Sequence, residues 1–220
     1  MFNSHLNLNA KMVSYAGYEM PVQYSEGIKH EYNSIRKNVG MFDVSHMGEF
    51  EITGKNAEKF LQKLTINDVS QLYNGKAQYS AMCNEAGGII DDLILYKFEN
   101  RYFMVVNASN IRKNWDWLNQ NLINDVELNN LSESISLIAI QGPNSRTELN
   151  KIFSDIESIE FYHAKEVQFN NEKLILSRTG YTGELGYEVY GSSNIICLIW
   201  GKLLAEKVFE VAGWRPKNGI

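Results

Sequence analysis

Ala77-Gln78-Tyr79-Ser80-Ala81-Met82-Cys83, then Asn84-Glu85-Ala86-Gly87-Gly88, then Ile89-Ile90-Asp91-Asp92-Leu93-Ile94-Leu95-Tyr96-Lys97 read as two β-rich runs joined by five turn-forming residues. Asn and Gly supply the turn conformations that β-branched and aromatic residues resist, so this stretch is a hairpin. A third run, Tyr102 to Asn107, follows the polar turn Glu99-Asn100-Arg101. Strands joined by short polar turns pair antiparallel, because a parallel pair needs a long crossover.

Working upstream, Ser25 is placed to cap a helix whose apolar stripe is Ile28, Tyr32, Ile35 and Val39, with Gly40 ending it. Phe50 and Ile52 alternate with Glu49 and Glu51 in a half-buried strand closed by Gly54, and Phe60, Leu61 and Leu64 mark a short helix. Downstream, Ile111, Trp115, Leu118 and Leu122 form a helical stripe. An apolar strand over 134–140 ends at Gln141-Gly142-Pro143, where a new helix begins. Strands near 164–169 and 173–178 flank Asn170-Asn171, another occupies 186–190, and a helix runs from about Ser193 to Val211. Hairpins outnumber β-α-β alternation, so the predicted class is α+β, mostly antiparallel sheets with flanking helices.

The 220 residues suffice for one large domain or two smaller ones. Basic residues are scattered and the net charge is −5, which leaves no electrostatic footprint for nucleic acid. Cys83 and Cys197 lie far apart in no metal-like spacing, which suits buried thiols in a reducing compartment. No basic segment followed by an apolar stretch opens the chain and no apolar run is bilayer-length, so a cytoplasmic protein without membrane association is expected.

Four constellations carry chemistry-bearing residues. Asp91 and Asp92 begin a strand otherwise written in Ile and Leu, and in a strand they face opposite sides. Either they terminate the turn, or one enters a pocket where desolvation tunes it for proton transfer. In Arg178-Thr179-Gly180-Tyr181-Thr182-Gly183-Glu184-Leu185-Gly186-Tyr187-Glu188, the glycines permit close backbone approach to a ligand or positive φ. Tyr181 there offers a stacking face and Glu188 a bidentate acceptor; the alternative is an ordinary glycine-rich turn. Asp43, Ser45 and His46 resemble a hydrolytic triad only by residue type, and His46 reads better as a hydrogen-bonded structural histidine. Asn107 closes an apolar strand before a helix, where it caps that helix or turns its amide into a pocket. Histidines 5, 30, 46 and 163 show no ligand spacing, so no metal is expected.

Taken in order, Met41-Phe42-Asp43-Val44-Ser45-His46-Met47, Tyr79-Ser80, Gly87-Gly88-Ile89-Ile90-Asp91-Asp92, Val105-Val106-Asn107-Ala108, Ile140-Gln141-Gly142-Pro143 and Arg178-Thr179-Gly180-Tyr181-Thr182-Gly183-Glu184 closely resemble the T-protein (aminomethyltransferase) family of the glycine cleavage system. Gly17-Tyr18-Glu19-Met20-Pro21 and Arg36 to Val39 extend the likeness. The resemblance implies three domains around a folate pocket: a discontinuous first domain over 1–52 and 141–220, a second inserted over 53–140, and a final β-barrel-like domain absent from this chain. It implies transfer of an aminomethyl carbon from the lipoyl arm of a partner H-protein to tetrahydrofolate as co-substrate, with release of ammonia. It places Asp92 at the reactive side of the pterin, with Met47, Tyr79, Asn107, Tyr181 and Glu188 as pocket contacts. The family's next block, of the type Gly-Leu-Gly-Ala-Arg-Asp with a folate-binding arginine, does not follow Gly213-Trp214-Arg215-Pro216, so weak or no activity is expected of this chain alone unless another chain supplies the missing part. A non-catalytic folate- or H-protein-binding remnant and a related folate-dependent demethylase are the alternatives.

Overall fold

A computed structural model describes residues 1–205 together with 210, 211 and 213. In chain order the elements are α1 (Phe2–Asn7), β1 (Lys11–Tyr15), β2 (Tyr18–Gln23), α2 (Ile28–Lys37), β3 (Gly40–Asp43), β4 (Gly48–Thr53), α3 (Ala57–Leu64), β5 (Ala77–Cys83), β6 (Ile89–Phe98), β7 (Arg101–Val106) and α4 (Ile111–Gln120). There follow β8 (Glu127–Asn130), β9 (Ile135–Gln141), α5 (Ser145–Leu149), β10 (Ala164–Phe169), β11 (Glu172–Ser177), β12 (Gly186–Ser192), α6 (Ser193–Ala205) and β13 (Glu210–Val211). The class is mixed α and β with antiparallel sheets, as the hairpin count predicts.

The chain forms two compact units, one of residues 1–46, 136–161 and 165–220, the other of residues 47–135 and 162–164. The changeover falls at 46/47 rather than 52/53 because β4 hydrogen-bonds to β7 and β8 and so belongs to the second sheet.

The second unit is built on a five-stranded sheet in the order β5-β6-β7-β4-β8, antiparallel throughout. Strict alternation along β6 turns Asp91, Leu93 and Leu95 to the buried side and Asp92 and Ile94 to the other. That buried side packs Leu93, Leu95, Phe50, Ile52, Met104 and Val106 against Phe60, Leu61 and Leu64 of α3 and Leu118 of α4. Each such side chain contributes roughly 1.5–3 kcal/mol by leaving water, an upper estimate because denatured chains already bury some surface.

The first unit holds a six-stranded sheet in the order β10-β11-β12-β9-β3-β13. β3 pairs antiparallel with β9 and parallel with β13. Its core gathers Met41, Ile138, Ile140, Leu176, Tyr187 and Val189 with Ile196, Ile199 and Trp200 of α6. The β1–β2 hairpin, turning on Ala16 and Gly17 at positive φ, and the helix α1 escaped the sequence reading.

Several expectations need correction. In α2 the supposed stripe is exposed at Ile28 (48%) and Tyr32 (57%), while Glu31 is the buried residue. A buried backbone N–H must find a partner, and Glu31 Oε1 accepts from Tyr24 N at 2.7 Å, which outweighs the apolar periodicity. Gly27, not Ser25, precedes the helix, and Gly40 opens β3 rather than ending α2. Leu122 lies beyond α4 and is exposed. Cys197 is exposed on α6 and Cys83 half-buried, both free thiols. The last helix is described to Ala205; residues 206–209 and the segment from Trp214 to Ile220, with Arg215 and Pro216, lie outside the described residues. No described helix is long and apolar enough to cross a membrane.

Candidate functional site

In the second unit the sheet brings Asp92, Tyr79 and Asn107 together. Tyr79 stands on β5 opposite Ile94, two residues along β6 from Asp92 on the same face. Its hydroxyl donates to Asp92 Oδ2 at 2.6 Å. That bond, then partial burial, pushes the phenol up to about 12, so it stays a donor at neutral pH. Asn107, at the end of β7, donates from Nδ2 to Asp92 Oδ1 at 2.7 Å. The Asp92 carboxylate is thus gripped at both oxygens by neutral donors. Asn107 makes no side-chain cap to the turn that follows it. Met47 sits half-buried immediately before β4.

Asp91 occupies a different environment. It is buried, and its two oxygens accept from Asn107 N (3.2 Å), Asn107 Nδ2 (2.9 Å), Asn110 Nδ2 (2.7 Å) and Asn114 Nδ2 (2.6 Å). Four donors fill the lone-pair positions of one carboxylate, which is how a buried acid is tolerated. Asn110 and Asn114 escaped the sequence reading, although asparagines at 107, 110 and 114 share one helical side.

In the first unit Glu188 of β12 is buried, and its Oε2 accepts from the Thr179 and Tyr190 hydroxyls. Thr179 also shares a 2.8 Å hydroxyl contact with Ser177. Tyr181 packs edge-on against Phe42, ring centroids 5.6 Å apart, and keeps about half its surface (52%) exposed. Burial of its hydroxyl end, with the Glu188 charge beside it, raises this phenol above its ordinary range.

Of the two reasons anticipated for the loop glycines, close ligand approach or positive φ, Gly183 has the second, and Gly180 and Gly186 answer to a third, packing against Gln141. A Cβ at Gly180 falls 2.1 Å from Gln141 Oε1, and one at Gly186 falls 2.3 Å from both Gln141 Nε2 and Oε1. Gly183 alone of the three has positive φ, +79°. The buried Gln141 amide fills the space two side chains leave empty, and its Oε1 accepts from Thr182 Oγ1 at 2.9 Å.

The Asp43-Ser45-His46 triad does not form. Asp43 Oδ2 instead meets His5 Nε2 at 2.8 Å, and its Oδ1 accepts from Ser45 N. His5 Nδ1 in turn lies 2.9 Å from the Tyr24 hydroxyl. Burial opposes the Asp43 charge, but the bonds to His5 and Ser45 prevail and hold its pKa below the usual carboxylate value. His46 is buried with the rings of Tyr15 and Tyr18 edge-on at 6.0 and 6.4 Å, and burial pushes it down to about 4, against the opposing Asp43 charge. It is therefore neutral at pH 7.

Glu49, which alternates with the apolar Phe50 and Ile52 in a strand expected to be half-buried, is itself fully buried, in register with Val105, which pairs with Ile94. Among the described residues no group hydrogen-bonds either carboxyl oxygen, and burial raises its pKa well above the ordinary carboxyl value. Among the described residues no group of three or more His, Cys, Asp or Glu side chains is arranged to hold a metal ion.

Comparison with known proteins puts this geometry in context. The family model described as the GCVT N-terminal domain matches residues 1–213. An aminomethyltransferase of Chloroherpeton thalassium is 48% identical over 203 residues, covering 91% of this chain and 56% of that protein. One of Flavobacterium psychrophilum is 48% identical over 213 residues, covering 95% and 59%. The crystal structure of glycine cleavage system aminomethyltransferase T from Bartonella henselae superposes with TM-score 0.90 at 30% identity, covering 96% of this chain and 58% of that one. The chain thus spans somewhat over half the length of the relatives it matches.

Proposed function

The chain belongs to the family of the GCVT N-terminal domain of the glycine cleavage system, and on that premise we propose that it serves a tetrahydrofolate-dependent aminomethyltransferase. In this reading the methylene carbon arrives as an aminomethyl group on the lipoyl sulfur of a lipoylated H-protein. Two folate nitrogens take the carbon while its bonds to the amino nitrogen and to sulfur break. The two protons the folate nitrogens shed end on ammonia and on the lipoyl thiol, so the balance needs no oxidant. A cytoplasmic setting suits the free thiols of Cys83 and Cys197.

The observation that supports this most is the grip of Tyr79 and Asn107 on Asp92. A carboxylate fixed at both oxygens is pre-oriented toward a nitrogen that must lose a proton, where it steadies the developing positive charge or accepts the proton. Tyr79, through its ring, and Met47 are the proposed apolar contacts of the folate, and Asn107 holds the acid. Tyr181 and Glu188 in the first unit are proposed as an aromatic contact and a hydrogen-bond acceptor for the amino-pyrimidine edge. Thr179 and Tyr190 orient Glu188 for that purpose.

Two measurements test the reading. Tetrahydrofolate titrated into the chain by calorimetry gives binding heat; none at millimolar ligand removes the proposal. In an active form, Asp92→Asn lowers turnover at least about tenfold, the usual worth of a positioned acid–base group. Wild-type rates in that variant place the essential carboxylate elsewhere.

A further inference from the structure

Asp91 and Asp92 point to opposite faces of the sheet, yet one amide nitrogen touches both. Asn107 Nδ2 lies 2.9 Å from Asp91 Oδ1, 2.7 Å from Asp92 Oδ1 and 3.2 Å from the Asp92 carbonyl oxygen. An amide nitrogen carries two protons, enough for one bond to each carboxylate. The opposite amide orientation sets an oxygen against three oxygens, so the direction of this group is dictated by its surroundings.

We propose that Asp91 is a positioning residue for Asp92, acting through Asn107. Asp91 is clamped by Asn114 of α4, by Asn110 immediately before that helix and by the Asn107 backbone N–H. The start of the helix is tied to the buried side of β6, and Asn107 reaches across the strand from that anchor. Its second proton then fixes the rotamer of the acid on the opposite face. A structural plug explains Asp91's own four bonds but needs no shared amide. The chemical consequence rests on the reading of Asp92 as the acid at the folate nitrogen; the geometric claim does not, and the test keeps the two apart.

The test is carbon-13 carboxyl NMR of the ligand-free 220-residue chain, following Asp92 through a pH titration in wild type, Asp91→Asn, Asn107→Ala and the double variant. The Tyr79 hydroxyl that donates to Asp92 remains protonated throughout the carboxyl range; Asp91, on the opposite face, shares the Asn107 amide with Asp92, and Glu49 stands on the Asp92 face two strands away. Asp91→Asn shifts the Asp92 midpoint upward because the carboxylate loses a donor, and Asn107→Ala does the same. The double variant shifts it no further than Asn107→Ala alone, the signature of two residues acting in series. A midpoint that falls in Asp91→Asn marks mere relief of charge repulsion and overturns the proposal, as does an unchanged midpoint or an additive double variant.

Should Asp91→Asn not fold, the wild-type chain still decides. The Asn107 side-chain amide protons exchange with solvent at least about tenfold slower than those of free asparagine; exchange at the free rate overturns the claim. In an active form, Asp91→Asn lowers turnover about tenfold and adds little in an Asp92→Asn background. Folate that fails to bind would sink the functional reading and leave the NMR result standing.

Discussion

Gly186→Ala places a methyl group where Gln141 already is. The new Cβ lies 2.3 Å from the amide nitrogen and oxygen and 2.4 Å from Cδ, more than 1 Å inside ordinary contact. Gln141 cannot step aside cheaply. Its Oε1 holds the Thr182 hydroxyl at 2.9 Å, and its Nε2 reaches the carbonyls of Thr179 and Tyr187, each at a long 3.4 Å. Overpacking a filled core costs about 1–3 kcal/mol, and breaking the amide's bonds in a dry site adds roughly 1–2 kcal/mol. The expected destabilisation is therefore about 2–5 kcal/mol, read as a lower urea midpoint at unchanged slope. Gln141→Ala empties the space the methyl needs, so the double variant should be less destabilised than the sum of its parts by at least about 1 kcal/mol. A Gly186→Ala protein within about 1 kcal/mol of wild type refutes the reasoning. So does strict additivity, which would show the glycine answering to something other than Gln141.

Other outcomes follow from the buried acids and the Tyr79 bond. The folded protein binds the Glu49 proton more tightly than the unfolded chain does, so stability falls as pH rises above about 4.3, the unfolded value. Glu49→Gln lacks that dependence, and its stability advantage in urea unfolding should widen between pH 5 and pH 8; a constant difference would show Glu49 titrating normally. Asp43 behaves oppositely: its depressed pKa contributes stability above about pH 3.9 that is lost as pH falls through the lower folded value. Asp43→Asn should cost about 2–3 kcal/mol at pH 7, from the bonds to His5 and Ser45, and little at pH 2; an equal cost at both would contradict the assignment. Tyr79→Phe removes one donor from Asp92, worth about 1 kcal/mol, so an active form should lose roughly three- to tenfold in turnover with melting temperature nearly unchanged.

The second unit's sheet was legible because its information is local. Asn84 to Gly88 and Glu99 to Arg101 are turns by composition, and the runs they separate are rich in β-forming residues. What escaped depends on partners distant in sequence. Glu31 is buried because Tyr24 N needs an acceptor, and no periodicity in α2 reports that. Asp43 finds His5 rather than its neighbours Ser45 and His46, a pairing set by where α1 docks in the first unit. The spacing of Gly180, Gly183 and Gly186 was conspicuous, but the cause of Gly180 and Gly186 sits on β9, at Gln141. Within the candidate site, alternation set Asp91 and Asp92 on opposite faces, and the family resemblance, not the spacing, singled out Asp92. Alternation carried no sign that Asn107 joins them, since that bond depends on how α4 returns across β6.

The hydrogen bonding of β3 to β9 has a bearing on how the nascent chain matures. Residues 47–134 of the second unit all leave the ribosome before β9 does, and their hairpins close between sequence neighbours, which is fast. β3 has been synthesised by then, but its antiparallel partner has not, and β12 follows later still. Its apolar residues Met41 and Phe42 wait as an unpaired edge through that interval. The inserted unit thus completes its five-stranded sheet first, short of residues 162–164, and the sheet that brackets it in sequence is the vulnerable intermediate, where a holding chaperone would have most to protect.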